Sequence, residues 1–155
     1  MKCRLLLALS SVLLATPALA QTRTVEVITL ASAQRMVTAA EAEAARNGWN
    51  VTIAVVDPAG ELILLHRLDA ASAASVDISQ AKARTAARFK RPTKALEDAV
   101  AGGRLVVMAL PGATPVEGGL PIELGGKIVG AIGVSGASSA QDAQVAQAGL
   151  TALIP

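Results

Sequence analysis

Few residues of this chain could do chemistry, and the foremost is its single histidine. His66 ends an apolar run and is followed by Arg67 and Asp69. An imidazole there can ligate a haem iron or act as a base, since its pKa lies near neutrality. The structural alternative is a partly exposed, hydrogen-bonded histidine at a strand end. No second histidine or cysteine adds to a metal site, so both interpretations stay open.

A run of cations without an acid follows. Such a cluster can bind carboxylates, propionates or phosphates, although a solvated helix face is the simpler explanation for most of its members. Lys82 differs because it lies on the same helical side as Thr85 and Phe89, where it could line a pocket with one charged and one apolar wall. The six cations are Lys82, Arg84, Arg88, Lys90, Arg91 and Lys94.

Two glycine-containing loops carry the remaining candidates. Glu117-Gly118-Gly119 places one carboxylate beside backbone that can adopt positive φ, which suits either a ligand or a sharp corner. Ser135-Gly136 ends an apolar run just before a helix, whose first amides could hold an anion. No phosphate-binding loop, nucleophile elbow or zinc-protease motif occurs. We therefore predict no catalytic residue and leave enzymatic activity undecided.

The elements that must position these residues follow from periodicity and turn signals. Helical spacing predicts a helix that Thr29 caps and that runs to about Arg46. Two hairpins are predicted on either side of the second and third helices, and residues 105–110 read as a further strand. Ser139 with Asp142 suggests a capping box for the last helix. Hairpins imply an antiparallel sheet that helices must cover, so the fold class is α+β. The hairpin strands are 51–57 with 61–67 and 122–124 with 127–134, residues 22–28 are a short strand or an extended lead-in, and the middle helices are 75–90 and 93–102.

The N-terminus has the pattern of a secretory signal peptide. Lys2 and Arg4 precede an apolar run, and Ala18-Leu19-Ala20 is the small-residue pattern at which such peptides are cut. Cleavage after Ala20 leaves one domain, residues 21–155, exported to the periplasm or secreted. The apolar run is too short for a stable membrane span, and none is expected after cleavage.

Cleavage also changes the charge and the cysteine content. Of the 14 basic residues two leave with the peptide, and the 12 that remain balance 12 acidic ones. The only cysteine, Cys3, leaves as well, which excludes disulfides and thiolate metal sites. Without net basic charge or a series of aromatic residues, nucleic-acid binding is disfavoured.

Six segments and one glycine, in one order, resemble the HbpS/GlcG-like family, also called the haem-degrading domain family. The resemblance covers about Thr29 to Leu153 and includes Asp142 near the start of the last helix. The segments are IAVVD (53–57) with Gly60, RLDA (67–70), KARTAARF (82–89), RPT (91–93), EGGLPI (117–122) and VGAIGVSGA (129–137).

The resemblance implies a profilin-like fold, a central antiparallel sheet of about five strands flanked by helices, and assembly as a homo-oligomer. Some haem-binding relatives use a histidine in the first helix, where residues 39–42 of this chain have none. Iron ligation would then fall to His66, Met36, Lys82 or a hydroxyl such as that of Thr114. The family positions expected around a shared cleft are Arg67, Asp69, Lys82, Thr85, Glu117, Gly118, Gly119, Ser135 and Gly136.

Two functions follow as expectations. The first is an exported protein that binds haem, to sequester it or to inform a membrane sensor, with cations such as Arg67 and Lys82 neutralising the propionates. The second is a binder of a small organic acid, as in the glycolate-associated relatives, with those cations holding a carboxylate. An enzyme that uses Lys82 or Glu117 as acid or base, and a structural oligomer without ligand, are the remaining classes.

Overall fold

A computed structural model describes residues 24–153, and the predicted signal peptide lies outside them. These residues form four α-helices, one short 3₁₀ helix, η1, and four strands that follow one another in two pairs. Their bounds are α1 Leu30–Arg46, β1 Thr52–Val56, β2 Leu62–Arg67, α2 Ala74–Phe89, α3 Lys94–Ala101, η1 Leu105–Ala109, β3 Gly119–Leu124, β4 Lys127–Ser135 and α4 Ser139–Thr151.

The strands form one antiparallel sheet in the order β2-β1-β4-β3. β1 lies inside the sheet and all five of its residues are buried. Ile53 and Val55 face the core that α1 and α4 cover, whereas Ala54 and Val56 face α2. This arrangement confirms the α+β class with helices on both faces of the sheet.

The predicted strand at 105–110 is wrong, and the described sheet has four strands rather than about five. This segment forms η1 instead, because its backbone groups find partners locally. The Val107 amide donates to Arg104 O at 3.2 Å, and the Leu110 amide donates to Val107 O at 3.2 Å. Only Val107 is buried. Local hydrogen bonding after the Gly102-Gly103 turn therefore overrides the β propensity of the apolar run.

Residues 24–29 are an extended lead-in rather than a strand. The Ile28 amide donates to Val129 O at 2.9 Å, beside the first residues of β4. Thr29 then caps α1, as predicted, by accepting a hydrogen bond from the Ser32 amide. Within residues 24–153, no helix combines the length and the apolar character needed to cross a membrane.

The cap of α4 lies one residue earlier than predicted. Ser138 is the N-cap and forms the capping box with Gln141. Asp142 is therefore not part of the cap, and its carboxylate is available for the contacts described below.

A glycine lets α2 lie close to β4. A Cβ at Gly133 would stand 2.2 Å from Ser79 O and 2.5 Å from the Ala83 amide nitrogen. No larger residue fits there without moving the helix. The same close approach sets the depth at which the side chains of α2, including Lys82, meet the sheet.

Candidate functional site

Lys82 and Asp142 form a buried ion pair at the end of β4. The side chains are 2% and 3% exposed, and Lys82 Nζ lies 2.8 Å from Asp142 Oδ2. Lys82 Nζ also donates to Val134 O at 3.0 Å. The second carboxylate oxygen of Asp142 accepts a hydrogen bond from the Ala137 amide at 3.0 Å. The pair therefore joins α2, β4 and the start of α4.

Burial sets the electrostatics of this pair. Removal from water raises the pKa of the Asp142 carboxyl, and the hydrogen bonds from Lys82 and the Ala137 amide lower it in part. Two desolvated charges are stable only while each has the other. A ligand carboxylate that approached Lys82 would have to displace Asp142.

Gly118 and Gly119 pack directly against Lys82. A Cβ on Gly118 would stand 2.8 Å from Lys82 Nζ, and the φ of Gly118 is +123°. A Cβ on Gly119 would lie 2.4 Å from Lys82 O. The predicted grouping of these glycines with Lys82 is thus present in space, and close packing is the reason that glycine is needed.

Thr85 holds the loop that leads into these glycines. Its hydroxyl donates to Ala81 O at 2.8 Å and lies 3.2 Å from Gly112 O. The same oxygen accepts a hydrogen bond from the Thr114 amide at 2.9 Å. The loop between η1 and β3 is therefore fixed to α2.

Glu117 is half-buried at the end of this loop. Its amide donates to a carboxylate oxygen of Glu97 on α3. Next to it, Thr93 closes the corner, because its hydroxyl accepts a hydrogen bond from the Gly119 amide at 2.9 Å. Glu97 and Glu117 thus lie at the N-terminal end of α3. Beside them Lys94 Nζ lies 2.7 Å from Asp98 Oδ1.

Ser135 and Arg67 belong to one row across the sheet. Thr52 of β1 is in register with Arg67 on one side and Ser135 on the other. The buried Thr52 hydroxyl lies 2.6 Å from that of Ser75 on α2. Gly136 follows Ser135, and a Cβ there would stand 2.3 Å from Asn50 O. Tight packing accounts for this glycine.

His66 and Arg67 end the outer strand β2, and Asp69 follows it. Arg67 donates to Ala71 O from Nε at 3.0 Å and from Nη2 at 2.7 Å. Asp69 is exposed. His66 is in register with Ile53 and so lies on the opposite face from Arg67.

A carboxylate, that of Glu41, lies against the His66 ring. The imidazole Nδ1 contacts Glu41 Oε1 on α1, and the His66 side chain is 50% exposed. Nε2 is the ring nitrogen that this contact leaves for a further partner. Sequence reasoning missed Glu41 because 25 residues separate the two, and it noted Asp142 without pairing it with Lys82.

The predicted residues can be described as two groups, and the row Arg67–Thr52–Ser135 connects them across the sheet. One group surrounds the Lys82–Asp142 pair, and the other lies at the end of β2. A cavity of about 620 Å³ lies elsewhere, and Lys90 of the predicted cation run is the one candidate residue among its described walls. Its walls are Thr24, Val25, Glu26, Pro58, Ala87, Lys90, Gly126, Lys127 and Ile128.

Known proteins resemble this chain over most of its length. A family described as "Haem degrading protein HbpS-like" matches residues 28–151. The protein GlcG of Escherichia coli K12 is 43% identical over 102 residues, which cover 66% of this chain and 76% of GlcG.

Solved structures have the same fold. A double mutant of HbpS from Streptomyces reticuli is 33% identical, with a TM-score of 0.78 over 94% of this chain and 98% of that one. A structure named the PduOC:Heme complex is 26% identical, with a TM-score of 0.76 over 83% of this chain and 96% of that one.

Proposed function

The chain belongs to the HbpS-like family, and from that premise we propose that it is an exported protein that binds haem through His66. The family description and the haem complex of the PduOC relative support haem as the ligand class. The contact between His66 and Glu41 is the observation in this structure that carries the proposal of haem binding.

Metal-ligating histidines commonly donate their second ring N–H to a carboxylate, which fixes the ring and increases its basicity. Glu41 Oε1 contacts His66 Nδ1 but is a buried oxygen without a hydrogen bond from any described residue, so a small rotation of the ring would let it accept this N–H, and the half-exposed ring keeps Nε2 for iron. The donor set therefore fits a haem iron. Bound haem would supply an iron centre, either as cargo or as the signal to a membrane sensor.

The surroundings of His66 also suit a porphyrin. Leu64 shares the face of His66 and is half-buried, so it offers apolar contact. Arg67 holds Ala71 O and lies on the opposite face of the sheet, so it is not placed to neutralise a propionate of haem bound at His66. Lys82 is excluded from that role by its burial against Asp142.

A small organic acid is the alternative ligand, and the cavity of about 620 Å³ favours it. Its lining combines apolar side chains such as Val25 and Ile128 with Lys90 and Lys127. Lys127 already pairs with Glu26. Lys90 is then the cation that would hold a carboxylate, in place of Lys82.

A pair of titrations separates the two ligands. Haemin added to the purified protein should give a Soret band that saturates at a fixed ratio to the chain. Glycolate should leave the melting temperature unchanged, since only a ligand that binds the folded state stabilises it. Spectra equal to those with an inert control protein, together with stabilisation by glycolate that Lys90→Met abolishes, would replace haem by the acid.

Export has its own test. Protein recovered from the periplasm or the medium should begin at Gln21 by mass spectrometry. An intact Met1 terminus on cytoplasmic protein would contradict export without touching haem binding.

A further inference from the structure

Asparagine occurs only twice in this chain, at Asn47 and Asn50, and the first is followed by glycine. Asn47 and Gly48 form the exposed turn that ends α1. Asparagine is thermolabile, because the backbone nitrogen of the next residue can attack its side-chain carbon. Glycine hinders this attack least, since it has no Cβ. The turn is also uncrowded, because a Cβ at Gly48 would meet no atom of the described chain within 4 Å.

Hydrogen bonds to α1 hold both reacting groups. The Asn47 side-chain amide donates to Glu43 O at 2.8 Å and to Glu43 Oε1 at 3.1 Å. The Gly48 amide donates to Ala45 O at 3.2 Å. Attack on the Asn47 side chain breaks these bonds, so it must wait until the last turn of α1 opens. Helix ends open more readily than helix interiors, and the fold therefore slows the reaction without abolishing it.

We propose that Asn47-Gly48 is a site of spontaneous deamidation, slowed by the fold, and that its product weakens the contact between α1 and α4. Gly48 N bonds to the side-chain carbon of Asn47, and the side-chain nitrogen leaves as ammonia with the proton that Gly48 N gives up. Water then opens the succinimide ring at one carbonyl or the other, which yields aspartate or isoaspartate. The reaction consumes only water, and the inference does not depend on haem.

The product places a negative charge against another one. An aspartate at position 47 loses both donations to Glu43, and like charges four residues apart on a helix repel. Arg46 pairs with Glu43 and offsets part of this repulsion, whereas the helix dipole adds to the cost of an anion at the C-terminal end of α1. Glu43 also accepts a hydrogen bond from Gln144 on α4. Repulsion that turns the Glu43 side chain away therefore removes a contact between the two helices.

Mass spectrometry of peptides from the purified protein, kept at mildly alkaline pH, follows the reaction. Deamidation should occur at Asn47 and should be faster in guanidinium chloride, which unfolds α1, than in buffer. Asn50 is the internal control, because it is exposed as well but precedes the β-branched Val51, and it should stay intact. An Asn47 that stays intact in the unfolded chain, or that reacts no faster there than in the folded protein, would overturn the proposal.

A matched pair of variants tests the consequence for the fold. Asn47→Asp and Asn50→Asp add the same charge three positions apart, but only the first lies at the end of α1 against Glu43. Near neutral pH, the melting temperature of Asn47→Asp should lie about 2–8 °C below that of wild type, and that of Asn50→Asp should fall less. Equal melting temperatures for the two variants would contradict the proposed weakening of the contact between α1 and α4.

Discussion

At the scale of single residues, Lys82 shows how far composition can lead. Its position on the same side of the helix as Thr85 and Phe89 predicted a role in a pocket. Among the described residues that are less than 2% exposed as a whole, Lys82 is the largest. The sequence placed it among ligand-binding residues, where it stays a prediction. Its partner Asp142 lies 60 positions away. Pairing across such a separation depends on the packed fold and has no local signal.

Removal of Lys82 should therefore destabilise the protein strongly. Lys82→Met leaves Asp142 buried without a counter-ion, and we expect the free energy of unfolding to fall by about 3–5 kcal/mol. Urea denaturation measures this change. Lys94→Met is the control, because its pair with Asp98 is exposed to solvent and should contribute little to stability. Equal free energies of unfolding for the two variants would mean that the buried pair stabilises the fold no more than the exposed one.

At the scale of elements, the helices and hairpins were largely predictable. Thr29 as N-cap and the turns at Asp57 and Gly125-Gly126 use local chemistry, and the structure has these elements with shifts of a few residues at most. The prediction of a strand at residues 105–110 was wrong because an apolar β-branched run does not show whether a neighbouring strand is there to pair with it. The strand count changed for that reason alone.

The contact between α2 and β4 yields the sharpest prediction for an element. Gly133→Ala puts a methyl group into the backbone of α2, so the helix or the strand must move. Overpacking of this kind destabilises by about 1–3 kcal/mol, and the 2.2 Å approach to Ser79 O places this case at the upper end. Gly102→Ala, at ordinary φ and with the nearest contact of its Cβ at 3.2 Å, to Asp98 O, should destabilise the protein less than Gly133→Ala. Chemical denaturation that found both variants alike would refute the close packing.

The contact between α1 and α4 should be sensitive to acid. Glu43 on α1 accepts a hydrogen bond from Gln144 on α4, and this bond is the main reason that the pKa of Glu43 lies below its ordinary 4.5. Hydrogen bonds from Arg46 and Asn47 lower this pKa further. A lowered pKa means stability that is present above 4.5 and lost as the pH falls through the folded-state value.

Melting temperatures of wild type and Glu43→Gln should test this. The advantage of wild type should be full well above pH 4.5 and shrink below it. A difference that stays constant, or grows, on acidification would show that Glu43 does not stabilise this contact as a carboxylate.

At the scale of the whole molecule, the order of the motifs carried more than any single residue. The resemblance predicted the family, and the family is confirmed by the match over residues 28–151. It also predicted one cleft shared by nine residues, which stays a prediction. His66 was not among the nine, and in the structure it lies on the face of the sheet opposite Arg67. Side-chain direction depends on strand register, which motif order does not encode.

The most direct test of haem ligation is the Soret absorbance of wild type beside His66→Ala at equal haemin concentrations. We predict a saturable band for wild type and its loss or shift in His66→Ala, with Glu41→Gln weakening haem about 10–100-fold through the loss of its contact with His66. Arg91→Ala, an exposed cation outside both groups, should bind as wild type does. An unchanged band in His66→Ala would contradict ligation by His66.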